Sequence, residues 1–148
     1  MIKNIHLNRD MAQLILLQRI ELLSPFLKRI RKILGRYFFT NFASKYFISP
    51  KLIGAKYLES MLSEYSLLSK KLNFDNKTIL SIGSGMCGLE LIINLKSKNC
   101  FFSIIEKNYI SKKVSYGWDN KNKEAYNNLK LLEFFLINNG MNKKSFKI

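Results

Sequence analysis

The segment Thr78-Ile79-Leu80-Ser81-Ile82 runs directly into Gly83-Ser84-Gly85-Met86-Cys87-Gly88, and a helical pattern from Leu89 to Leu95 follows. A short apolar run, a glycine-rich turn and a helix in that order open a βαβ unit, and few other arrangements accommodate them. Glycines at this spacing let the chain turn tightly and keep the loop bare of side chains, so a ligand can come close to the peptide groups. The start of the following helix adds N–H groups that have no intrahelical partner. A second apolar run, Phe101 to Ile105, ends at Glu106, 21 residues beyond Gly85. In nucleotide-binding βαβ units an acid about 20 residues after the loop accepts hydrogen bonds from ribose hydroxyls. The order predicts two parallel strands joined by a right-handed crossover, each buried by helices.

Downstream, Lys123 to Asn139 reads as a helix with Tyr126, Leu129, Leu132, Phe135 and Leu136 on one face and Gly140 as its stop, and Ser145 to Ile148 can begin a third strand. Upstream, apolar positions recur at helical spacing from Asp10 to Leu34, and Ser24-Pro25 divides that stretch into two helices. The second, Pro25 to Tyr37, is basic and amphipathic; its apolar stripe is expected to cover the core, with an anionic membrane surface as the alternative. Phe38 to Ile48 is rich in aromatics and receives no assignment. Ser49 as N-cap and Pro50 at the first helical position start a helix that runs to about Leu72, and polar residues Asn73 to Lys77 end the helical half. The expected architecture is therefore α/β: a helical N-terminal cap over residues 1–72, then an incomplete Rossmann-like parallel unit over residues 73–148.

The formal net charge of +15 fits a nucleic-acid or anionic-membrane partner. Lysine supplies most of it, beside abundant Asn, Ile, Phe and Ser, and an AT-rich coding sequence gives the same bias with no such partner; nucleic acid is thus possible but not favoured. Cys87 and Cys100 do not make a metal-ligand spacing and His6 is the sole histidine, so neither a metal site nor a disulfide is expected. Cys100 opens an apolar run and is expected to pack as a small hydrophobe, in keeping with a reducing cytoplasm. The apolar run Leu14 to Leu17 is far short of the roughly 20 residues that span a bilayer, so no transmembrane segment is expected and the cytoplasm is the expected location.

The stretch from Ile79 to Glu90 resembles the first motif of class I S-adenosylmethionine-dependent methyltransferases, a hydrophobic strand followed by acid-x-Gly-x-Gly-x-Gly. Ile104-Ile105-Glu106-Lys107-Asn108 is similar to that family's second motif, and the helices upstream resemble its N-terminal cap. The Tyr116-Gly117-Trp118 turn before Tyr126-Asn127-Asn128 is similar to bacterial methyltransferases of small molecules or sugars. The resemblance implies S-adenosylmethionine as cofactor, held by Gly83, Ser84, Gly85, Gly88, Glu106 and Lys107, and a small-molecule or sugar acceptor. Two positions depart from the pattern: Ser81 replaces the acid that ends the first strand, and Cys87 stands at the third glycine. Gly83-x-Gly85-x-x-Gly88 also satisfies the dinucleotide fingerprint, which keeps an NAD-binding oxidoreductase domain open. A basic module that uses the N-terminal helices on nucleic acid or a membrane surface is the third alternative. With 60 residues after Gly88, the resemblance implies a truncated methyltransferase. Such a chain carries no nameable catalytic residue, has an open sheet edge that invites self-association, and does not transfer methyl groups by itself.

Overall fold

The computed structural model describes residues 4–111 and 125–148. Among them are six α-helices and a three-stranded parallel open sheet, an α/β arrangement. Four helices come first. α1 (Arg9–Gln18) starts where the Asn8 side chain accepts a hydrogen bond from the Met11 N–H at 2.8 Å, and it is buried nearly all round, at Met11, Ala12 and Leu14 through Leu17. A single 3₁₀ turn, Ile20–Leu22, leads to α2 (Pro25–Leu34), which Ser24 and Pro25 begin as the sequence predicts. α2 ends at Leu34 rather than Tyr37, because Gly35 takes φ +78° and a new helix, α3 (Arg36–Tyr46), opens after it. The aromatic stretch left unassigned from Phe38 is thus mostly helical. Nor does α2 cover the core: none of its residues is buried, and Leu27 and Ile30 merely lean on it. α4 (Pro50–Ser69) turns Ile53, Tyr57, Leu58 and Met61 inward.

The sheet follows. β1 (Thr78–Ile82) and β2 (Phe101–Ile105) keep their predicted bounds and pair in parallel from Thr78 opposite Phe101 to Ile82 opposite Ile105. α5 (Gly88–Lys96) connects them. α6 (Leu129–Asn138) leads through a 3₁₀ turn, Lys143–Ser145, to β3 (Phe146–Lys147), which pairs in parallel with β2 and gives the order β1-β2-β3. α6 starts later than Lys123, because the Asn128 side-chain oxygen, Oδ1, accepts from the Lys130 and Leu131 N–H groups at 3.0 and 3.2 Å and fixes the first turn there. Tyr126 is not helical; it pairs antiparallel with Ile110. Lys123 itself and the Tyr116-Gly117-Trp118 turn lie outside the described residues.

Two successive parallel connections of one hand that step in one direction put their helices on the same face of a sheet. Accordingly Phe102, Ile104 and Phe146 are buried in one core with residues of α1, α4, α5 and α6, so the helical half and the sheet half share that core. Among the described residues no helix covers the opposite face. Leu80, Ile82 and Ile105 are exposed, Ile82 by 70%, which corrects the expectation that helices bury both strands on both sides. β1, expected mid-sheet in a full fold, has β2 on one side and no strand on the other among the described residues. No described helix is long and apolar enough to cross a membrane.

Candidate cofactor site

The loop after β1 is shaped by three positive φ angles. Gly83 at +66° and Gly85 at +63° adopt backbone that L side chains rarely take, and Cys87, where the resemblance expects a third glycine, sits at +52° as the residue before α5. A left-handed conformation costs a non-glycine residue roughly 1–2 kcal/mol, which explains why glycine is usual there. Gly83 N–H donates to the Ile105 carbonyl at 3.0 Å and so carries the β1–β2 ladder one step past the strand.

Glu106 stands opposite. Its two carboxylate oxygens accept from the Gly85 N–H at 2.7 Å and the Lys107 N–H at 2.9 Å, so loop and acid are joined directly across the C-terminal ends of β1 and β2. Between them opens a cavity of about 450 Å³, within the range of small-ligand pockets. Ile82 and Ile105 contribute apolar surface to it, Gly83 and Gly85 bare backbone, and Glu106 and Lys107 charge; Gln18, Ala125, Tyr126 and Asn127 complete the lining. Four of the six residues picked from the sequence therefore meet in one place. Ser84 and Gly88 do not line it: the Ser84 hydroxyl lies 3.0 Å from the Cys87 sulfur, and Gly88 is packed beneath α4.

Gly88 is held by Tyr57. Its N–H donates to the buried Tyr57 hydroxyl at 3.0 Å, and a Cβ at Gly88 would fall 2.4 Å from the same oxygen. The first N–H of α5 is thus satisfied by protein. The first turn also carries Glu90, a buried carboxyl that accepts a short hydrogen bond from the Ser81 hydroxyl. Burial pushes the Glu90 carboxyl above the ordinary carboxylate range, with the Ser81 bond opposing. Burial likewise raises the Tyr57 phenol and the Cys87 thiol, the latter further by the nearby Glu90 charge. Burial thus disfavours the Cys87 thiolate, the nucleophilic form. Cys100 is also a buried free thiol, and it donates to the Phe74 carbonyl at 2.7 Å.

The helical half reaches into the site through one residue the sequence did not suggest. Gln18, the last residue of α1, accepts from the Met86 N–H at 3.2 Å and donates to the Tyr126 carbonyl at 2.7 Å. Asn127, also unsuspected, is buried and donates to the Gly85 carbonyl at 2.7 Å. Arg36 lies over the Tyr126 ring at 4.3 Å and donates to its hydroxyl at 3.3 Å. Gln18 ends an apolar helix and nothing in its surroundings in sequence marks it. Glu90 left a trace, being the single acid in the apolar run Gly88 to Lys96.

Chemically, the site offers a backbone loop, an ionisable acceptor whose oxygens each keep a further lone pair, and two isoleucines that can meet an apolar ring. No group of three or more His, Cys, Asp or Glu residues that could hold a metal ion exists among the described residues. No protein-family model matches the chain, and no curated protein or solved structure is similar to it.

Proposed function

We propose that the chain binds S-adenosylmethionine in the cavity between Gly83, Gly85 and Glu106, as the cofactor half of a methyltransferase for a small-molecule or sugar acceptor. The observation that carries this reading is the direct bond between the Glu106 carboxylate and the Gly85 N–H across the ends of two parallel strands. Ligands of open α/β sheets bind at the carboxyl ends of the strands, and a three-stranded parallel open sheet in the order β1-β2-β3 is compatible with part of a Rossmann-like sheet. Glu106 would accept hydrogen bonds from the ribose diol, Ile82 and Ile105 would face the adenine, and Lys107 would flank it. When bound, the cofactor supplies an already activated methyl group on a sulfonium. The part left to these residues is orientation, which fixes the line along which an acceptor must approach.

A second observation favours this cofactor over NAD. A dinucleotide lays its pyrophosphate on the N-terminus of the helix after the loop. At α5 that place is closed: Gly88 N–H is bonded to the buried Tyr57 hydroxyl. A sulfonium cofactor has no phosphate. Titration calorimetry tests the reading. Adenosylhomocysteine should saturate the protein at a 1:1 ratio while NAD produces no heat beyond dilution; the reverse order of affinities would assign the site to a dinucleotide.

A further inference from the structure

Helices α2 and α3 carry a cluster of exposed apolar side chains. From Leu22 to Leu58 the sequence holds eight Lys or Arg residues and no Asp or Glu. On α2 the spacing puts Phe26, Arg29 and Ile33 on one side with Lys32 beside them, and Phe26 and Ile33 are 69% and 83% exposed. Among the described residues no carboxylate forms an ion pair with Lys28, Arg29 or Lys32. On α3, Phe38, Phe42 and Tyr46 recur every four residues as an exposed ladder, while Phe39 turns into the core. Phe38 stacks on Phe42 with ring centroids 6.0 Å apart, and Phe42 also meets Tyr46 at 5.5 Å and Phe47 at 5.4 Å. Phe47 is 74% exposed, and α2 packs against α3.

We propose that the α2–α3 surface docks the protein on an anionic lipid bilayer, with its aromatic and aliphatic side chains in the boundary between headgroups and acyl chains and Lys28, Arg29 and Lys32 against lipid phosphates. Charge complementarity selects the partner: a surface that presents Lys28, Arg29 and Lys32, in a stretch of sequence from Leu22 to Leu58 that holds no acid, is attracted to a negative surface and repelled by a copy of itself. Apolar content selects the kind of anionic surface. Ile33 and Phe26 offer no hydrogen bond to a phosphate or a base edge, whereas the interfacial zone of a bilayer gains from burying them. Nucleic-acid interfaces are more polar than this surface, which exposes Phe26, Ile33, Phe38, Phe42 and Phe47. A helix of this kind lies in the interface and does not cross it.

The test is co-sedimentation of the full chain with vesicles of equal parts phosphatidylcholine and phosphatidylglycerol, beside vesicles of phosphatidylcholine alone, at low and high salt. The chain should partition to the mixed vesicles and be released by salt. Reversing Lys28, Arg29 and Lys32 to Glu together should lower the partition coefficient on the order of a hundredfold, since each cation contributes about fivefold near such a surface. The second variant, Phe38→Ser with Phe42→Ser, changes no charge and should lower it about tenfold or more. Arg29, Lys32, Phe38 and Phe42 are exposed and Lys28 is half-buried, and cooperative unfolding like that of the unaltered chain verifies each fold. Equal partition to neutral and mixed vesicles, no effect of either variant set, or capture by an oligonucleotide at concentrations where vesicles capture nothing would each overturn the proposal. So would a stable dimer that Phe42→Ser dissociates, because the ladder would then be covered by a second copy.

Discussion

The two arms of one glycine loop have opposite surroundings. Gly83 and Gly85 open onto the cavity and face Glu106, whereas Cys87 and Gly88 are closed under Tyr57 and the helical half. Glycine is required in both arms for different reasons. At Gly85 the backbone conformation requires it and an approaching ligand would use the bareness; at Gly88 the side chain is absent because a tyrosine occupies its place. A motif written as letters assigns both arms to a ligand, and the packing leaves only one accessible to it.

The largest effect that can break this comparison is Gly88→Ala. Its Cβ would lie 2.4 Å from the Tyr57 hydroxyl and 2.5 Å from the adjoining ring carbon, atoms of a side chain that is itself buried and cannot swing away. Overpacking plus loss of the hydrogen bond should cost about 2–4 kcal/mol, read as a lower denaturant midpoint. Gly85→Val should do the converse. There the obstacle is the amide end of Gln18, which can move, so the fold should survive the strained φ at roughly 1–2 kcal/mol while adenosylhomocysteine binding is lost. If Gly88→Ala left stability untouched, or Gly85→Val left binding untouched, the two arms would not differ as described.

Next in size is Glu106→Ala. Removing hydrogen bonds to a charged acceptor should weaken adenosylhomocysteine by about 1.5–3 kcal/mol, and Glu106→Gln should recover part of it. Calorimetry on both variants decides; wild-type affinity in Glu106→Ala would make the carboxylate merely a staple for the Gly85 N–H.

Much of the open arm was legible from local sequence, and almost none of the closed arm. β1 and β2 declare themselves as apolar runs ended by glycine or acid, and their spacing needs no tertiary information. Tyr126 fits the helical stripe of Leu129 and Leu132, but the capping bonds of Asn128 and the Ile110 pairing outweigh that periodicity and α6 starts after it. At α3, Gly35 hides a helix boundary inside a basic, aromatic stretch. Gln18, Tyr57 and Asn127 lie 68, 31 and 42 residues from the loop atoms they bond. Only packing of α1 and α4 on the sheet brings the first two there, and no local pattern encodes such a meeting.

Tyr57→Phe sharpens the closed arm further. It keeps the ring and removes the acceptor, leaving the Gly88 N–H buried without its partner, which should cost about 1–2 kcal/mol of stability. Adenosylhomocysteine affinity of the folded protein should not change, since Tyr57 does not line the cavity. A loss of affinity without loss of stability would place Tyr57 on the ligand's side of the loop.

The smallest effect concerns Glu90, and its sign is what matters. Burial raises this carboxyl above its ordinary range, while the Ser81 and Ser84 hydroxyls and the more distant Arg19 charge pull it back. A group that binds its proton more tightly when folded stabilises the fold fully below its unfolded value, about 4.3 for glutamate. That contribution is lost as pH rises through the folded value, because the native state must then either hold a buried charge or open. Glu90→Gln keeps the shape and an oxygen that can accept from Ser81, and it removes the titration. Denaturant unfolding of both proteins at a series of pH values should therefore show nearly equal stability in acid and a widening advantage of Glu90→Gln toward neutral pH. The opposite trend, with the wild type gaining as pH rises, would mean that Glu90 is charged and that its attraction to Arg19 outweighs burial. The closed arm would then be fastened by an ion pair, and a ligand carrying positive charge could compete for the same carboxylate.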